Sequence, residues 1–206
     1  KISKYNLSEN INFQLDNELY EKTILVVGQV DDDVSIKLGG FGMSNSKLLQ
    51  EVKKNNPNSY IIYKSHPDVN SGNRKGYLSN EFLEKFCHLS LKDLNISYLI
   101  SLVDEVHTIT SLVGFEAILQ RKKVVTYGVP FYSGWGLTVD KISCHRRKRK
   151  LSLSELVAGA LILYPRYIDP IDFEYCKPEL LVERIKEQNY LLNKNIIIKT
   201  FYVLRN

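Results

Sequence analysis

Thr23-Ile-Leu-Val-Val27, running straight into Gly28-Gln-Val-Asp-Asp-Asp-Val-Ser35, decides the fold. An unbroken apolar run this short, rich in β-branched residues, has no polar side to offer water. It reads as a strand buried on both faces. A loop with Gly39, Gly40 and Gly42 follows. Ser46 to Asn55 then carries Leu48, Leu49 and Val52 on one side and Lys and Glu on the other, an amphipathic helix that Pro57 ends. Tyr60-Ile-Ile-Tyr63 repeats the strand signal, and residues 68–77 read as a polar, basic loop. Leu94 to Val103 reads as a short helix, Glu105-Val-His-Thr108 as a third strand, Ser111 to Gln120 as a helix and Lys123-Val-Val-Thr-Tyr127 as a fourth strand. Short buried strands alternating with helices predict an α/β fold, a Rossmann-like parallel sheet with helices on both faces. In such sheets ligands bind beyond the carboxyl ends of the strands.

Outside that alternation the signals are sparser. Residues 1–22 are polar and weakly patterned, an irregular lead-in. Residues 128–150 form a loop rich in Gly and aromatics that ends in the basic run His145-Arg-Arg-Lys-Arg-Lys150. Ser152-Leu-Ser-Glu155 is a capping box for a helix reaching about Leu163, and Pro165 stops it. Pro178 suits a first helical position, with the helix continuing to about Leu192. Residues 23–192 are therefore taken as one domain with closing C-terminal helices, and 193–206 as a tail or linker.

The 206 residues suffice for one sizeable domain. Hydrophobic residues at 44% and charged residues at 25% are ordinary for a globular chain. The formal charge of +5 is mild and concentrated in the run before Leu151. One short basic cluster is not an extended face for nucleic acid. Three widely spaced cysteines, Cys87, Cys144 and Cys176, with no CxxC pair, argue against a disulfide framework or a zinc site and fit a reducing cytoplasm.

Three stretches carry chemistry, each at an expected strand end. Gln29 to Ser35 contains three adjacent carboxylates, Asp31, Asp32 and Asp33. They read as a catalytic carboxylate with Gln29 orienting it, as an Asp-rich surface turn, or as a metal site, although no His or Cys accompanies them. Lys64-Ser-His66-Pro67 places a cation and an imidazole together, an anion site or a His packed at a turn. Thr110-Ser111 opens a helix, where amides and dipole favour phosphate, and Glu116 lies a turn and a half further on, within reach of a ribose; simple capping with a solvated Glu116 is the other reading. Gly128-Val-Pro-Phe-Tyr-Ser-Gly-Trp-Gly-Leu-Thr138 is either a sugar platform built on Tyr132 and Trp135 or a loop packed on the core.

These residues in this order resemble the bacterial capsule polysaccharide biosynthesis family, the KpsC-like β-Kdo transferases. The matching stretches are Gly28 to Ser35, Tyr63-Lys-Ser-His-Pro-Asp68, Glu105 to Ala117, Tyr127 to Thr138 and Leu151 to Pro170, within residues 23–185. The resemblance implies transfer of Kdo from CMP-Kdo to a lipid-linked acceptor with retention at the sugar. It implies the C-terminal lobe of a GT-B glycosyltransferase, residues 1–22 being the end of a missing N-terminal lobe. It places the nucleophile at Asp33, with Asp31 in reserve and Gln29 beside it. Lys64, His66, Pro67, Thr110 and Ser111 would bind the phosphate, Glu116 the ribose, and Ser35, Tyr132 and Trp135 the sugar or acceptor. A single leaving phosphate needs no metal or cofactor.

Capsule assembly proteins are the expected partners, with no nucleic acid. Peripheral contact with anionic inner membrane, through the basic run and the helix from Leu156, is a further expectation. A non-catalytic CMP-binding or scaffold module, or a transferase using CMP-sialic acid, remains open beside this reading. Ser65 stands where the family commonly has Pro, which loosens that loop.

Overall fold

The computed structural model describes residues 15–72 and 74–194. They fall into two compact units that meet between Leu153 and Ser154. This division lies inside the span 23–192 that the sequence joined. Most of the lead-in and of the tail lies outside the described residues.

The first unit is a six-stranded parallel sheet in the order β3-β2-β1-β4-β5-β6. Its strands are β1 (Lys22–Val27), β2 (Ser59–Lys64), β3 (Leu89–Leu91), β4 (Glu105–Thr108), β5 (Lys123–Thr126) and β6 (Val139–Asp140). The helices are α1 (Val34–Gly39), α2 (Asn45–Asn55), α3 (Pro67–Asn70), α4 (Asn80–Phe86), α5 (Ile96–Leu102) and α6 (Leu112–Leu119). Alternation along β1 sends Ile24 and Val26 to one face, where they meet Leu48, Leu49 and Val52 of α2. Leu25 points the other way and is equally buried, as is Ile62 of β2. The sheet is therefore covered on both sides, as continuous apolar strands require.

The strand order, not the strand direction, switches between β1 and β4, and that opens a crevice at their carboxyl ends. Three connections hold more structure than the sequence reading gave them. The loop after β1 contains α1, the polar loop after β2 contains α3, and the aromatic loop contains β6. Residues 78–93, without a clear pattern, form α4 and β3. None of these is longer than seven residues, too short for a periodic signal; their caps and neighbours define them.

The amino ends of the strands are closed by charge. Glu105 stands between Lys22 and Lys123, each at 2.9 Å from its Oε1, while His107 Nε2 lies 3.1 Å from its Oε2. Tyr127 donates to His107 Nδ1 at 3.2 Å, so the neutral ring carries its proton on Nε2 and donates it to Glu105. The His107 bond and both lysines hold the Glu105 carboxyl far below its usual range, and burial pushes the His107 pKa down.

The second unit joins α7 (Leu153–Ala158), which widens into a π-helical turn over Gly159–Leu163, to an antiparallel pair, β7 (Tyr167–Ile168) and β8 (Tyr175–Cys176). Helix α8 (Pro178–Lys194) follows and is tied back by Arg184 to buried Asp169 at 3.1 Å. No helix among the described residues is long and apolar enough to cross a membrane.

Candidate functional site

Strand order puts the ends of β2, β1 and β4 side by side, and the segments that leave them line one cavity of about 430 Å³. Gln29, Asp33 and Ser35 come from β1, Lys64, His66 and Pro67 from β2, and Thr110, Ser111 and Glu116 from β4. Its size is that of an ordinary small-molecule site.

Gln29 is the clasp. Its Oε1 accepts from the Thr110 amide at 2.8 Å and from the Thr108 hydroxyl at 3.3 Å, and its Nε2 donates to Thr110 Oγ1 at 3.0 Å. Buried Asn45 holds its backbone from the other side, accepting from Gln29 N at 2.9 Å and donating to Gln29 O at 2.7 Å. Thr110 Oγ1 in turn donates to Ser35 Oγ at 3.2 Å. The Ser35 amide donates to Asp33 Oδ1 at 2.8 Å. Hydrogen bonds from the Ser35 side chain and amide, joined by the charges of Arg74 and His66, lower the Asp33 pKa. Gln29 thus reaches Asp33 through two hydroxyls, not by direct contact.

The carboxylate triplet diverges. Asp31 accepts from the Asn45 amide at 3.2 Å and is absent from the cavity wall. Asp32 pairs with Arg74 at 3.0 Å. Asp33 alone lines the cavity, and it caps α1. Each carboxylate has its own partner, which resolves their mutual repulsion. Among the described residues no group of three or more His, Cys, Asp or Glu is arranged to hold a metal ion.

Lys64 is buried; its ammonium donates to Lys92 O, and burial lowers its pKa against the opposing charge of Asp93. His66 caps α3, its Nδ1 accepting from the Asp68 amide at 3.2 Å, which leaves the neutral ring protonated on Nε2. Pro67 fixes the first helical position behind it. Ser111 caps α6 through Val113 N at 3.2 Å, and its hydroxyl keeps a hydrogen to donate. Glu116 is half-buried, with its pKa raised by burial.

The expected sugar contact at Tyr132 is corrected, while Trp135 is half-buried and outside the cavity wall. Tyr132 is fully buried, and its hydroxyl donates to Ser111 O. A Cβ at Gly114 would lie 2.2 Å from that hydroxyl, so the glycine is what lets the ring reach the start of α6. Trp135 donates to Phe131 O at 2.8 Å, and the Arg147 guanidinium lies 5.5 Å over its ring. Arg147 also donates to Ser133 O at 2.8 Å. This loop therefore braces the site; part of the basic run braces the loop.

Sequence reasoning missed several lining groups. Arg74 sat within a segment read only as basic loop. Leu94 and Ile96 supply an apolar wall and gave no motif, and Phe131 joins them from the aromatic loop, where the sequence singles out Tyr132 and Trp135 instead. Asn45 and Thr108 hold the clasp, and nothing marked them as more than a helix start and a strand end.

Comparison with known proteins agrees on one family. A family model described as capsule polysaccharide biosynthesis protein matches residues 3–167. The capsule polysaccharide modification protein LipA of Neisseria meningitidis is 44% identical over 197 residues, covering 94% of this chain and 28% of LipA. The lipopolysaccharide-processing protein LpsZ of Rhizobium meliloti is 44% identical over 167 residues, covering 81% of this chain and 38% of LpsZ. Among solved structures, the Thermosulfurimonas dismutans KpsC β-Kdo 2,7 transferase superposes with a TM-score of 0.73 at 42% identity, over 85% of this chain and 55% of that one. The β-Kdo 2,4 transferase of KpsC from the same organism gives a TM-score of 0.76 at 34% identity, over 89% and 57%. The chain thus spans well under half the length of these curated relatives and little over half of the solved chains.

Proposed function

The chain belongs to the capsule polysaccharide biosynthesis family, and on that premise we propose that its first unit is the CMP-Kdo-binding lobe of a retaining Kdo transferase of GT-B type. The observation that carries this reading is the convergence of Gln29, Asp33, Lys64, His66, Ser111 and Glu116 on one cavity at the reversal point of the sheet. The likeness to KpsC Kdo transferases supplies the sugar.

In the proposed pose the donor phosphate lies between His66 Nε2, the Lys64 ammonium and the start of α6. Ser111 adds its hydroxyl, and the helix dipole adds its positive end. Glu116 receives the ribose. The Asp33 carboxylate, kept ionised by its lowered pKa, attacks the anomeric carbon. The bond to the phosphate oxygen breaks and its electron pair leaves with CMP. An acceptor hydroxyl then displaces Asp33 from the opposite side, its proton passing to the CMP phosphate. Two inversions give net retention. A single leaving phosphate is balanced by these groups, so magnesium chelation is expected to leave transfer intact.

The acceptor is taken to be lipid-linked, with other capsule assembly proteins as partners at the cytoplasmic face of the membrane. Because the chain spans 55–57% of the solved transferase chains, the isolated chain is expected to bind CMP without transferring sugar. Calorimetry with CMP on this chain, and a transfer assay on the full-length protein, test the reading. Absence of CMP binding would overturn it; a preference for CMP-sialic acid in the assay would replace the sugar and keep the site.

A further inference from the structure

We propose that Arg74 recognises the donor's carboxylate, the group that distinguishes an ulosonic acid from a neutral sugar; the inference rests on the CMP-sugar reading above.

Arg74 lines the cavity together with Asp33 and His66. Its backbone segment is held by the clasp itself: Lys75 O accepts from Asp31 N at 3.0 Å, and Gly76 O accepts from Asn45 Nδ2 at 3.0 Å. The loop that carries Arg74 is thereby docked on the strand end that carries Asp33.

The guanidinium is used on one edge. Nε and Nη2 both donate to a single oxygen, Asp32 Oδ1, at 3.3 and 3.0 Å. The Nη1–Nη2 edge still presents two parallel N–H groups, the fork that fits a carboxylate. Asp32 therefore orients Arg74 rather than consuming it.

Donor chemistry says where that fork is needed. In a CMP-ulosonic acid the carboxyl is bonded to the anomeric carbon, the atom that Asp33 attacks. Bringing the two carboxylates together is repulsive unless a cation stands beside them. Arg74 is close enough to Asp33 for its charge to help lower the Asp33 pKa. The other fixed cation on the wall, Lys64, lies buried at the end of β2, on the phosphate side.

The test is calorimetry on this chain with CMP, CMP-Kdo and the C1-carboxamide of CMP-Kdo. The wild-type chain should favour CMP-Kdo over the carboxamide by roughly tenfold, the range of a charge-assisted bond at a part-exposed site. Arg74→Gln should bring that ratio close to one while CMP affinity changes by less than about twofold. Arg74→Lys, which keeps the charge but loses the fork, should give an intermediate ratio. A wild-type ratio in Arg74→Gln overturns the inference, as does an equal loss for all three ligands, which would make Arg74 a structural or phosphate residue. Failure of the wild-type chain to bind CMP at all would instead overturn the proposed function.

Discussion

The two ends of the central sheet use the same residue types for opposite purposes. At the amino ends, Glu105 is enclosed by Lys22, Lys123 and His107 and is almost wholly buried. Its carboxylate spends its bonding on the protein. At the carboxyl ends, Asp33 is held by Ser35 and still lines a cavity. The cations there, Lys64 and Arg74, line the same wall without bonding to Asp33. The difference teaches how a carboxylate becomes chemically useful. It must be ionised by hydrogen bonds and nearby charge while keeping a lone pair accessible to a ligand. Glu105 meets the first condition and fails the second.

The largest effect should come from breaking the useful end. Asp33→Asn keeps an acceptor for the α1 cap but removes the proposed nucleophile. Kdo transfer by the full-length protein should fall on the order of 10³-fold or more, with melting temperature unchanged. Turnover near normal would make Asp33 another structural carboxylate and erase the contrast. At the other end, Glu105→Ala should leave CMP affinity within about twofold and cost about 2–3 kcal/mol in urea unfolding. It strands His107 and leaves two lysines facing each other; their partial exposure keeps the cost below that of a fully buried pair.

Acid should separate the ends further. Both Glu105 and His107 have pKa values depressed by folding. The stability that His107 contributes is complete above its unfolded pKa of about 6.5 and is lost as pH falls below it. The Glu105 contribution is complete above about 4.3 and is lost as pH falls toward its folded value. Thermal melts from pH 8 to 4 should therefore decline on acidification, and Glu105→Gln should decline less steeply below about pH 5. An unchanged slope in that variant would remove Glu105 from the account.

The smallest effect concerns the relay. Ser35→Ala removes the hydroxyl that leads the lowering of Asp33. Its pKa rises, so the acidic limb of the transfer profile moves to higher pH, while the rate at neutral pH changes by less than about threefold. A profile identical to wild type would show that the chain from Gln29 through Thr110 ends before Asp33.

Much of the site was legible because chemistry concentrated at strand ends. Val27, Tyr63 and Thr108 close the strands read from the sequence, and the residues after each are the ones read as ligand-facing. Arg74 was not legible, since a lone arginine in a basic loop has no local signature. Tyr132 was read as a sugar platform because its glycine-rich setting admits close approach. The approach proved to be its own hydroxyl meeting the start of α6, 21 residues earlier in the chain.

Local sequence settled β1, β2, β4 and β5, the longer helices and the parallel sheet, because strand-forming residue runs and amphipathic periodicity act over a few residues. It also settled which residue types stand at each strand end. Only the folded chain decided which aspartate of three adjacent ones lines the cavity. That choice depends on Asn45, Arg74 and Ser35, which reach Asp31, Asp32 and Asp33 from different elements. Adjacent residues in a turn point apart, and partners 14 and 42 residues away draw off Asp31 and Asp32, which leaves Asp33, held locally by Ser35, on the cavity wall. The chemical fate of each carboxylate is therefore a tertiary property.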